Sequence, residues 1–215
     1  MKSSILFLIY GISVVNALVL QSGKRHVTKE LFVANGGQFG YWSAPEYCPP
    51  GTFASGFSMK IEADQFSGDD TALNSIKLTC TDMSGHAQLG YQVTSGEGPF
   101  GSWSSVENCP PSTYLIDFSL QVEGQQGGKD DTSANYIKFN CRDYDGNNHW
   151  TELNHPPGRG IWGSFGAFSD RCDAHSAICG LATKVESSQG NGDDTALNDV
   201  KFYCCDDGVH GPVVG

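Results

Sequence analysis

The stretch GDDTALN occupies Gly68–Asn74 and returns letter for letter at Gly192–Asn198, with a variant, KDDTSAN, between them at Lys129–Asn135. A catalytic centre needs one acid pair, whereas a turn in a threefold architecture needs three copies. Asp, Thr and Asn side chains hydrogen-bond the backbone one or two residues away, and a leading glycine tolerates unusual dihedrals. The heptads therefore read first as turns. Strand-like runs flank each of them. Before the heptads, Phe57, Met59 and Ile61 alternate with polar residues, as do Phe118, Leu120 and Val122, and Leu181, Thr183 and Val185. After them come Ile76/Leu78/Cys80, Ile137/Phe139/Cys141 and Val200/Phe202/Cys204. Period-two alternation over five or six residues marks half-buried strands, and no segment sustains a helical period.

The repeat extends well beyond the heptads. Cys48, Cys109 and Cys172 precede them, and Cys80, Cys141 and Cys204 follow, each pair 32 positions apart. Each unit opens on an aromatic-glycine signature: FGYWS at Phe39–Ser43, FGSWS at Phe100–Ser104 and FGAFS at Phe165–Ser169. This alignment places Phe168 opposite Trp42 and Trp103, makes the path to Cys172 two residues shorter than in the other units, and leaves Trp150 and Trp162 off the pattern. Self-similarity at a period near 61–65 residues sets the architecture before any local reading. A small antiparallel sheet with one apolar face cannot bury that face alone, but three can bury theirs against one another around a pseudo-threefold axis. Gly90–Thr94 and His149–Leu153 lie in connecting stretches and read as short strands that could complete the sheets.

The N-terminus reads as a secretory signal at residues 1–17, with Lys2, an apolar Ile5–Ile12 and small residues at Val15–Ala17. Residues 18–30 form an N-terminal segment, with Lys24-Arg25 a dibasic trimming point. A single domain follows at 31–205, in three repeats of about 31–90, 91–155 and 156–205, and a tail spans 206–215. Eight cysteines in a secreted chain imply disulfides. Repeat logic pairs Cys48 with Cys80 and Cys109 with Cys141. It leaves two pairings open in the third unit: Cys172–Cys204 with Cys179–Cys205, or Cys172–Cys205 with Cys179–Cys204. A zinc site lacks C-x₂-C spacing and its His partners. The net charge of −11 argues against a nucleic-acid partner and suits neutral glycans or basic proteins.

These residues resemble the vitelline membrane outer layer protein I family. The likeness rests on the three aromatic-glycine openings, the cysteines that follow them, the DDT-x-x-N turns and the terminal GDDTALNDVKFYCC, and it covers about Leu31–Cys205. It implies an all-β fold, a type I β-prism of three Greek-key antiparallel sheets around a pseudo-threefold axis. It also implies secretion, a place in egg or other extracellular coats, and binding or transfer of N-acetylglucosamine oligosaccharides. No cofactor, metal or membrane insertion is implied.

Two further readings attach to Asp69, Asp70, Asp130, Asp131, Asp193 and Asp194. One is Ca²⁺ ligation, which lacks the spaced oxygens and closing Glu of a calcium loop. The other is a glycosidase carboxylate pair, which would draw its members from different units, since adjacent residues on an extended chain point apart. Trp42, Trp103, Trp150 and Trp162 are candidate sugar platforms. For Trp42 and Trp103, threefold copying favours instead a buried layer that seals the prism. The expected function is that of a secreted, disulfide-stabilised coat protein with N-acetylglucosamine-type glycans as ligands. The alternative is an enzyme acting on those oligosaccharides.

Overall fold

The computed structural model describes residues 25–63, 71–84, 87–124 (backbone alone at 87–90), 133–147, 149–154, 162–187 and 195–208. The signal segment, the trimming residue Lys24 and the tail beyond residue 208 lie outside them. The described residues form fourteen strands and no helix. They are β1 (Val27–Leu31), β2 (Tyr41–Trp42), β3 (Glu46–Tyr47), β4 (Thr52–Ile61), β5 (Leu73–Asp82), β6 (Ala87–Thr94), β7 (Ser102–Trp103), β8 (Glu107–Asn108), β9 (Tyr114–Val122), β10 (Ala134–Arg142), β11 (Thr151–Leu153), β12 (Ser164–Phe165), β13 (Ala177–Val185) and β14 (Leu197–Cys205).

Three antiparallel sheets result. The first has the order β6-β5-β4-β7, with β8 also on β4; the second is β11-β10-β9-β12; the third is β1-β14-β13-β2, with β3 also on β13. Each is built on a hairpin, β4–β5, β9–β10 or β13–β14, whose second strand begins within one heptad. The aromatic-glycine openings do not pair with the hairpins that follow them. FGSWS lies on β4, ahead of it in sequence, and FGYWS lies on β13, at the far end of the chain. The third sheet thus joins the N-terminal strands to the C-terminal hairpin and closes the prism.

The inward alternation fills one core. Four phenylalanines meet at its centre from all three sheets, with Phe57–Phe139 and Phe118–Phe202 centroids 4.8 Å apart and Phe139–Phe202 5.2 Å apart. Leu78 and Leu181 occupy the corresponding inward positions and are fully buried. The outward positions are less exposed than a one-sided sheet implies. Ser119 is buried because its hydroxyl donates to the Gly166 carbonyl of the segment lying over the sheet, at 2.8 Å.

The disulfides lace the sheets in a cycle. The Cys48 N–H donates to Cys179 O in the third sheet at 2.7 Å, while its sulfur bonds Cys80 in the first. Cys109 is anchored on Ser55 O of the first sheet and bonds Cys141 in the second. Cys172 is anchored on Ile116 O of the second and bonds Cys204 in the third. The fourth bridge, Cys179–Cys205, joins β13 to β14 and decides the pairing that the sequence left open. No cysteine is free, which removes the thiolates a zinc site would need. Arg25 of the dibasic pair is held at the same end as the bridges. Its Nη2 donates to Thr52 O at 3.0 Å, and its guanidinium lies 5.0 Å from the Phe53 ring centre.

Each inter-sheet bridge closes a loop of sequence separation 32, worth about 3–4 kcal/mol in the chain-entropy account. Replacing Cys109 and Cys141 together by Ala should lower unfolding free energy by about that amount in a denaturant titration.

Candidate functional site

The heptads converge at one end of the prism. Ala72, Ser133 and Ala196, the residues after the heptad threonines, all adopt left-handed backbone, with φ of 45°, 52° and 43°. That conformation costs a non-glycine residue about 1 kcal/mol, and side chains over-determine it. Asn74 Nδ2 donates to Thr71 Oγ1 at 2.6 Å and to Ala72 O at 3.3 Å, and Asn198 repeats both bonds on Thr195 and Ala196 at the same distances. Thr71 and Thr195 donate in turn to Glu62 and Glu186, at 2.7 and 2.6 Å. These glutamates, equivalent in the repeat, did not stand out in the sequence because they look like solvent-facing strand ends. Thr71, Asn74, Ser133, Asn135, Thr195 and Asn198 are all buried.

The asparagines also reach the next segment. Asn74 Oδ1 accepts the Phe100 N–H at 3.2 Å and Asn198 Oδ1 the Phe39 N–H at 3.3 Å. Ser133 Oγ donates to Asn198 Oδ1 at 3.1 Å, tying the second heptad to the third. Asp69, Asp70, Asp130, Asp131, Asp193 and Asp194, together with Lys129, lie outside the described residues.

A cavity of about 200 Å³ opens at this end. Gly36, Gly37 and Phe39 form one wall, Glu123, Gly124 and Ser133 another, and Thr195 and Asn198 a third. The Asn35–Phe39 strap that roofs it is held down by several bonds. Gly37 N–H donates to Asn198 O at 2.7 Å, and Lys184 Nζ to Gln38 O at 2.7 Å. A side chain at Gly36 would collide with the Asp199 carboxyl, which this strap partly covers. Burial pushes the Asp199 carboxyl up to about 6, against the Val200 N–H, Lys184 and Lys201, which pull it down.

The aromatics occupy three settings. The left-handed glycines of the openings are Gly40, Gly101 and Gly163, with φ of 78°, 79° and 76°. The third opening is therefore WGSF at Trp162–Phe165, three residues before the FGAFS expected from the letters. Trp162 lies on the repeat rather than off it, in the place of Phe39 and Phe100. Phe165, not Phe168, matches Trp42 and Trp103, and the path to Cys172 is one residue longer than in the other units, not two shorter. The physical reason is steric: a Cβ at Gly163 would strike the Val122 carbonyl, as one at Gly40 would strike Val185 and one at Gly101 would strike Ile61.

Trp42, Trp103 and Phe165 form no buried layer. They lie on the outer faces, and Trp42 is 41% exposed. A lysine from the repeat's second strand covers each ring: Lys201 at 4.9 Å from Trp42, Lys77 at 3.8 Å from Trp103 and Lys138 at 4.9 Å from Phe165. Trp150 is the most open tryptophan at 47% exposed, and it too carries a cation on one face, the Arg171 guanidinium at 4.2 Å.

A three-sided prism of antiparallel sheets, laced by disulfides and carrying a cavity beside Ser133, Thr195 and Asn198 at one end, is the class of protein this geometry defines. The sequence model of "Vitelline membrane outer layer protein I" matches residues 29–207, and the chain belongs to that family. It is 43% identical over 187 residues to the human vitelline membrane outer layer protein 1 homolog, covering 85% of this chain and 86% of that protein. It is 44% identical over 176 residues to the mouse homolog, covering 80% and 81%. Solved structures of lower similarity include Calsepa lectin in complex with a biantennary N-glycan, with 16% identity, a TM-score of 0.45, and 79% and 91% of the two chains covered. A single-chain recombinant jacalin has 13% identity and a TM-score of 0.46, with 86% and 98% covered.

The raised Asp199 has a signed consequence. Between the unfolded carboxylate value near 4 and about 6, the folded protein holds the extra proton, so this group's contribution to stability falls as pH rises through that window. Asp199→Asn should remove that fall. The melting temperature of the variant relative to wild type should climb between pH 4 and 6 and then level off, as calorimetry at several pH values would measure.

Proposed function

We propose that this is a secreted coat protein that binds N-acetylglucosamine-type glycans in the cavity at the heptad end. The observation that carries the reading is the chemistry of the cavity wall. The Ser133 and Thr195 hydroxyls and the backbone groups of the glycine strap line it beside one aromatic ring, Phe39. Neutral sugars need that mixture: hydroxyls that donate and accept in pairs, and a C–H face that packs on a ring. The glycines of the strap bring backbone close to a ligand without a side chain intervening. The four disulfides suit an oxidising compartment. The acidic balance suits basic coat proteins as further partners.

The enzymatic alternative draws on Asp199. A carboxyl raised to about 6 beside this cavity has the property asked of a general acid in glycoside chemistry. It predicts new oligomer lengths when a hexamer of N-acetylglucosamine is incubated with the protein, and their loss in Asp199→Asn. The binding reading predicts an unchanged hexamer.

Gly124 offers a clean test of the cavity. It lines the wall, and among the described residues a Cβ there meets nothing within 4 Å, so a larger side chain enters the cavity. Gly124→Leu should weaken binding of an N-acetylglucosamine oligomer by about tenfold or more in calorimetry while leaving the melting temperature within about 2 °C. Undiminished binding would place the ligand elsewhere.

A further inference from the structure

The repeat supplies its own controls, and one outer face departs from the other two. The position occupied by Gly56 on β4 and Gly180 on β13 is Asp117 on β9. In the first sheet Asn108 lies over the glycine, and in the third the Tyr47 ring does. In the second sheet the residue at the position of Asn108 and Tyr47 is Arg171, one before the bridging cysteine. Its Nε donates to Asp117 Oδ2 at 2.7 Å. Glycine and its cover have been exchanged together for a carboxylate and a guanidinium.

The exchange is costly for a purely structural role. The Asp117 side chain is 1% exposed, and its Oδ1 has no hydrogen-bond partner. Buried ion pairs lose much of their attraction to desolvation, and the two sister sheets manage the same contact with neutral residues. What the pair does accomplish is orientation. Asp117 fixes one edge of the guanidinium, leaving both Nη groups without a protein partner among the described residues. The guanidinium then lies 4.2 Å from the centre of the Trp150 ring, the most open indole of the molecule. Lys29 and Arg142 add positive charge alongside: Lys29 Nζ donates to Arg171 O at 2.8 Å, and Arg142 Nη2 to Asp173 O at 2.9 Å. Of the carboxylates in this cluster, Asp173 is engaged by Lys29, and Asp143 accepts from Gly146 and Asn147 within its own turn.

We propose that Trp150 and Arg171, aligned by Asp117, form a second ligand site, on the outer face of the second sheet, for an anionic saccharide: a uronate or sulfated ring. The C–H face of the sugar packs against the part of the indole that Arg171 leaves exposed, and its carboxylate or sulfate takes the Nη donors in the bidentate manner that guanidinium favours. The site is separate from the heptad-end cavity and does not depend on the reading given for it. Arg171 and Trp150 carry recognition; Asp117 is a positioning residue.

The test uses the full oxidised protein and a glucuronate-containing tetrasaccharide, with its carboxyl-reduced neutral counterpart as comparison, followed by tryptophan fluorescence and calorimetry. The acidic form should bind at least about tenfold more tightly than the neutral form, and weaken as salt is raised. Trp150→Ala, at an exposed position, should lose about tenfold in affinity without changing the melting temperature, and Arg171→Gln should abolish the preference for the acidic form. Should Arg171→Gln fail to fold, Trp150→Ala and the neutral ligand decide the question. Equal binding of acidic and neutral sugars would overturn the proposal, as would undiminished binding by Trp150→Ala. Tighter binding of a glutamate-rich peptide than of the saccharide would overturn the ligand class.

Discussion

The prism depends on a buried asparagine that holds two things at once. Its amide nitrogen locks the left-handed turn of its own hairpin, and its carbonyl oxygen captures the first amide of the segment that lies across that hairpin. Asn74 and Asn198 both do this, with nearly identical distances. A hairpin turn alone would leave three loosely related sheets. A turn that also binds the incoming aromatic-glycine segment fixes where that segment begins its course over the sheet. The lysine over the ring and the disulfide beyond it then follow along the same path. The strain of the left-handed residue, the burial of the amide and the positions of the cysteines are consequences of one local arrangement used at equivalent places.

That arrangement also explains why function collects at one end. The Asn35–Phe39 strap crosses the ends of the second and third hairpins there, held by bonds to Asn198 and Lys184. A cavity of about 200 Å³ remains between Gly36–Phe39 and the second and third heptads. The first and second openings each bring a glycine strap over a heptad, Gly37 onto Asn198 and Gly98 onto Asn74, but the Gly37 strap also meets the second heptad at Ser133. The cavity beneath the Asn35–Phe39 strap is therefore asymmetric. The outer face of the second sheet breaks the symmetry in a different way, through the exchange of a glycine for Asp117.

Much of the architecture was legible in the sequence because it is periodic. The strands, the heptad turns and the bridges Cys48–Cys80 and Cys109–Cys141 follow from spacing alone. The register of the third opening was not legible. Two glycines, Gly163 and Gly166, compete for it, and the letters favour Gly166 while the demand for a left-handed residue with no room for a Cβ selects Gly163. The lysine covers were missed for a related reason. Lys77, Lys138 and Lys201 read as the solvent side of a strand, and only the pairing of each opening with the hairpin of another unit brings a ring beneath them. Asp117 and Arg171 are 54 residues apart, and no local pattern connects them.

The account stands most directly on the asparagine lock, and native-state hydrogen exchange of the Gly98 and Phe100 amides in wild type and in Asn74→Ala measures it. Gly98 N–H donates to Asn74 O at 2.8 Å and Phe100 N–H to Asn74 Oδ1 at 3.2 Å. Both amides should be protected to the level of the β4–β5 ladder in wild type. In the variant they should exchange together and faster by about tenfold or more, while the ladder of the second sheet keeps its protection. Equal protection of both amides in the two proteins would show that the segments hold their places without the asparagine, and the account of how the three sheets are joined would be wrong.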